Sequence, residues 1–108
     1  MSATLPEPLA AYFSAKNRHD IDAMLAPFSA RAVVTDEGQE RRGAAAIRQW
    51  MEETTRKYNP TAEVLEVAAT DGETVVTALV SGTFPGSPAQ VHFAFTLEAG
   101  KIAHLTCW

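Results

Sequence analysis

Apolar and polar positions alternate with two different periods along this chain, helical through residue 60 and strand-like beyond it. Leu9, Tyr12, Phe13 and Lys16 follow helical spacing behind Pro6 and Pro8, which suit a first turn. Asp20 reads as the N-cap of a second, short helix with Ile21, Met24, Leu25 and Phe28 on one stripe. A β-branched run, Ala32 to Asp36, reads as a strand, and a glycine turn with two arginines leads into the next helix. Gly43 opens that helix, the longest, with Ile47, Trp50, Met51, Thr54 and Tyr58 facing one way. Its outer face sets Glu52 and Glu53 four residues before Arg56 and Lys57, the favourable order for ion pairs, and Pro60 ends it.

From residue 61 the period is two. Ala62 to Ala69 predicts one strand, the Asp71-Gly72 turn leads into Thr74 to Thr83, and "FPGSP" turns the chain again. Gln90 to Glu98 and Lys101 to Trp108 form a last hairpin about Ala99-Gly100. The expected architecture is therefore α+β: three N-terminal helices packed on one face of a strongly bent, mostly antiparallel sheet. With Ala99-Gly100 as a two-residue turn, Leu97 pairs with Ile102, Phe95 with His104 and Phe93 with Thr106. One face then collects Val91, Phe93, Phe95, Leu97, Ile102, His104, Thr106 and Trp108, and should meet the helices. The other, with His92, Ala94, Thr96, Ala103, Leu105 and Cys107, is free to meet a second sheet, which predicts a homodimer.

Composition narrows the function classes. The 108 residues make one domain, 1–108, with 46% hydrophobic and 20% charged residues, ordinary for a globular chain. A net charge of −4 without a basic stripe argues against nucleic acid as a partner. The start lacks the basic and apolar regions of a signal peptide, and no apolar run approaches a membrane span. A single cysteine, Cys107, excludes an internal disulfide and fits a reducing compartment, so a cytoplasmic protein is expected. Three histidines on separate segments show no metal-ligand spacing, and neither metal nor cofactor is expected.

Chemistry concentrates on a few positions. Asp36 has two readings, a general base or the polar end of a strand reaching water, with Glu37 as its solvated neighbour. Tyr12 lies on an apolar helix stripe, as a pocket donor or as a core residue with a satisfied hydroxyl. Trp50 reads as pocket wall, and His104 as a pocket polar group or a core histidine. Arg41 and Arg42 either hold an anionic substrate or bridge to carboxylates.

The link "YFSAKNRHDIDAMLAPFSARAVVTDEG", the segment "RRGAAAIRQWM" and the terminal F-x-F-x-L-x-x-GKI pattern resemble a known family. The chain is similar to the nuclear-transport-factor-2-like (NTF2-like) superfamily, in the branch of SnoaL-like polyketide cyclases and ketosteroid isomerases. The resemblance spans nearly the whole sequence. It implies a cone in which a long helix and a bent sheet enclose a pocket, and a dimer formed through the sheet. It also implies that Asp36 is the general base and Tyr12 the oxyanion-hole donor of ketosteroid isomerase-like chemistry. The family's second donor, a protonated aspartate, falls on His92 in a gapless register, or on Val91 with one gap, and neither is an acid.

Two function classes follow. In the first, the protein is an isomerase- or cyclase-like enzyme for a small hydrophobic carbonyl-containing ligand, with Asp36 as base, Tyr12 as donor, and Trp50, Phe93, Phe95, His104 and His92 binding substrate. In the second, the same pocket serves a non-catalytic ligand-binding or assembly module.

Overall fold

The computed structural model describes residues 5–108. Three helices, α1 (Glu7–Asn17), α2 (Ile21–Leu25) and α3 (Ala44–Tyr58), accompany six strands: β1 (Phe28–Asp36), β2 (Gln39–Arg42), β3 (Thr61–Thr70), β4 (Glu73–Ser81), β5 (Ala89–Glu98) and β6 (Lys101–Cys107). The strands form one curved sheet in the order β2-β1-β6-β5-β4-β3. All neighbours are antiparallel except β1 and β6, which run parallel.

The expectation of three N-terminal helices is corrected in its order: there are three helices, but the β1–β2 hairpin stands between α2 and α3. β2 itself is the element that periodicity misses. "QERR" has no apolar alternation, and the hairpin is made by its turn, where Glu37 (φ 54°) and Gly38 (φ 76°) both adopt positive φ. That pair of angles fits a two-residue turn whose twist matches the flanking strands.

Local signals explain the helix ends. Asp20 caps α2, its Oδ1 accepting from Ala23 N–H at 3.2 Å. Asn59 in the left-handed region (φ 48°) stops α3 just before Pro60. The expected Glu–cation pairs along α3 do not form among the described residues; Glu53 instead meets Arg41 of β2 at 3.6 Å.

The core lies between the helices and one face of the sheet. Tyr12 and Phe13 of α1 pack edge-to-face against Phe28, Phe93 and Phe95, with centroids 5.2 to 5.9 Å apart. Asn17 locks the end of α1 to β3, donating to Ala62 C=O at 2.9 Å and accepting from Ala62 N–H at 2.7 Å.

The last hairpin departs from its expected register. Leu97 pairs with Ile102, but Thr96 pairs with His104, so Ala103 is an extra residue in β6. Beyond this bulge every partner shifts by one: Phe95 meets Leu105 and Phe93 meets Cys107. Leu105 and Cys107 therefore face the core, and His104 and Thr106 share the outer face with Thr96 and Ala94.

Candidate functional site

The parallel β1–β6 pairing decides where the chemistry sits. It sets Asp36, the last residue of β1, beside Cys107 on the inner side of the sheet. From across the core, α3 brings Trp50, whose indole Nε1 donates to Asp36 Oδ2 at 2.9 Å. The carboxylate is thus fixed in orientation by one charge-assisted hydrogen bond.

Asp36 opens into a cavity of about 430 Å³, within the range of small-molecule sites. Its aromatic walls are Trp50, Tyr58, Phe84 and Phe93, with Val80 and Val91 between them. The polar groups reaching it are few: Lys16, Asp36, Glu37, Thr54 and the Cys107 thiol. Thr54 turns its hydroxyl back onto the α3 backbone, donating to Trp50 C=O at 2.9 Å. Glu37 follows Asp36 into the tight turn.

Electrostatics distinguish the remaining groups. Burial pushes the Cys107 thiol up to about 12, with the Asp36 charge adding to the rise and Lys16 opposing it. Burial draws the Lys16 ammonium below the usual lysine range, against the opposing influence of Cys107 and Asp36. Tyr12 is wholly buried, and its hydroxyl has no hydrogen-bond partner among the described residues. Burial raises its pKa, and the charges of Cys107 and then Asp36 add to the effect.

Of the residues singled out from the sequence, Asp36, Trp50 and Phe93 come together on the cavity wall. Tyr12 and Phe95 lie in the aromatic core, their rings 5.8 Å apart, and do not line it. His104 is exposed on the outer face, put there by the bulge at Ala103. His92 is also on the outer side, its Nδ1 3.1 Å from Thr77 Oγ1 and its ring 5.3 Å from Trp108. Neither histidine is among the cavity-lining residues. Arg41 and Arg42 are engaged by carboxylates, Arg42 with Glu40 at 3.0 Å.

Sequence reasoning missed Lys16 and Cys107. Lys16 was visible as the fourth member of the α1 stripe, a cation where the spacing calls for an apolar side chain. Cys107 was hidden by the bulge, which no side-chain pattern announces.

The SnoaL-like domain model matches residues 9–105. A protein from Sinorhizobium meliloti, proposed to be a polyketide cyclase, is 38% identical, with a TM-score of 0.92 over 96% of this chain and 95% of that one. The epoxide hydrolase/cyclase-like enzyme SalBIII, with a role in pyran ring formation in the polyether salinomycin, is 25% identical, with a TM-score of 0.77 over 94% and 87% of the two chains. A Catenulispora acidiphila protein with a ketosteroid isomerase-like fold, in complex with trimethylamine, shares the fold at 18% identity and a TM-score of 0.84, over 97% and 86%. No curated protein matches the sequence significantly.

Proposed function

The chain belongs to the SnoaL-like domain family, and from that premise we propose an isomerase- or cyclase-like enzyme for a small hydrophobic carbonyl compound, with Asp36 as general base. One observation carries the reading: a single oriented carboxylate opens into an aromatic-walled cavity of ligand size. A flat, apolar ligand fits between Trp50 and Phe93 with its carbonyl turned toward the polar end. Asp36 takes a proton from the carbon alpha to that carbonyl, and the electron pair moves onto the oxygen. Trp50 keeps the accepting oxygen pair aimed into the cavity. Tyr12, whose buried hydroxyl has no partner among the described residues, is the proposed donor to the developing oxyanion. The names of the S. meliloti protein and of SalBIII support cyclase-type chemistry on such a framework.

The test is Asp36→Asn with a bicyclic enone in deuterated buffer, following α-proton exchange by NMR. Exchange should fall by about 10²- to 10⁴-fold with ligand affinity nearly intact. An unchanged rate would transfer the role to Glu37 or to no residue. The alternative, a non-catalytic binding module, is favoured by the Trp50 hydrogen bond, which already satisfies a strand-end acid. That reading expects binding without exchange in either form.

A further inference from the structure

Lys16 is the group that proton transfer by Asp36 leaves unused. It stands one helical turn beyond Tyr12 on α1 and reaches the cavity that Asp36, Trp50 and Phe93 line. Among the described residues, Arg18, Arg41, Arg42 and Arg48 each meet a carboxylate within 4.0 Å, whereas Lys16 meets none. Its Nζ lies instead 5.8 Å from the centroid of Tyr12 and 5.9 Å from that of Phe93. The ring faces attract an ammonium ion weakly, but burial with no carboxylate in contact strips it of water, and that larger effect favours the neutral amine. A lysine placed only to neutralise Asp36 would sit on it.

We propose that Lys16 is an imine-forming nucleophile, its Nζ adding to the carbonyl carbon of an aldehyde or ketone held in this cavity. This rests on the carbonyl ligand of the preceding section and takes it one step further. The Nζ lone pair forms the new C–N bond while the carbonyl oxygen gains a proton. That oxygen leaves as water after taking a second proton, one of the two coming from Nζ and the other from solvent, and a protonated C=N group remains with no electrons gained or lost overall. The iminium withdraws electrons more strongly than the carbonyl, so the α-proton passes more readily to Asp36, and the pair becomes a neutral enamine. Return of the proton and hydrolysis restore the amine. The direction of the Lys16 pKa agrees, since a lowered value leaves more free amine near neutrality. Cys107, the other nucleophile on the wall, stays a thiol with its pKa near 12.

The chain has only three lysines, Lys16, Lys57 and Lys101, so the site can be mapped directly. The probe is 2-naphthaldehyde, which has no α-proton and isolates imine formation from Asp36 chemistry. Wild-type protein is treated at pH 7 with the aldehyde and sodium cyanoborohydride, whose hydride reduces the imine to a stable secondary amine. Peptide mapping should find Lys16 labelled roughly tenfold faster than the exposed Lys57 and Lys101. Calorimetry with 2-methylnaphthalene, which lacks the carbonyl, reports cavity binding alone, and Lys16→Met should keep that binding while losing the fast label. Binding of the hydrocarbon with Lys16 unlabelled, or labelled no faster than the surface lysines, overturns the imine and leaves the cavity reading standing. Failure of both probes overturns the two together.

Discussion

The Tyr12 hydroxyl is buried without a partner, and a hydroxyl so placed costs the folded state about 1–3 kcal/mol. Tyr12→Phe should therefore raise stability by about 1 kcal/mol in urea unfolding, while slowing α-proton exchange if the hydroxyl serves the oxyanion. A loss of stability would show that the oxygen has a partner in solution. Trp50→Phe removes the donor to Asp36, and exchange should fall by about tenfold, in line with one hydrogen bond to a charged group; an unchanged rate would show that Asp36 needs no orienting. These individual groups were unequally legible in the sequence. Asp36 was singled out because a strand ended on an acid at the position of the resembled family's general base, and Trp50 because it shared a helix face with core residues; the structure puts both on the cavity wall. His104 was misplaced because a side chain's direction depends on register, which depends on backbone, whereas strand parity had His92 on the outer face and only the family register turned it toward the pocket.

At the scale of elements, helical and alternating periods located all three helices and most strands, because each buries one stripe against the other layer. β2 and the Ala103 bulge were not legible, since both are made by backbone geometry rather than by apolar spacing. A single unpaired residue reversed the faces of Leu105, Cys107 and His104, which took one expected binding residue, His104, out of the pocket and brought Cys107 into it. Where side chains do tie elements together, the energetics are testable. Asn17→Ala strips both partners from Ala62 at the α1–β3 junction and should cost about 1–3 kcal/mol, read from the urea midpoint. A cost below about 0.5 kcal/mol would mean that the helix docks through its aromatic face alone.

For the whole molecule, the helices cover one side of the sheet and leave the other open. The outer side carries Thr96, Ala94 and His92 on β5, with His104 and Thr106 beside them and Trp108 59% exposed. We propose that two copies pair through this side about a two-fold axis, with Leu105 and Cys107 removed from the expected patch and His104, Thr106 and Trp108 added to it. Thr96→Arg, on that surface and only half-buried, should convert a dimer to a monomer in sedimentation while leaving ligand binding in place; wild-type protein that is monomeric at micromolar concentration would end the proposal. The parallel seam between β1 and β6 has a different consequence, one written in time. Hairpin neighbours such as β3–β4 and β5–β6 close over short turns, but Val34 meets Leu105, and Asp36 meets Cys107, across about seventy intervening positions. Loop-closure entropy is concentrated on that one seam, and such distant contacts slow folding more than they weaken the folded state. The wall that carries the acid is thus the part of the chain with the longest wait before it exists.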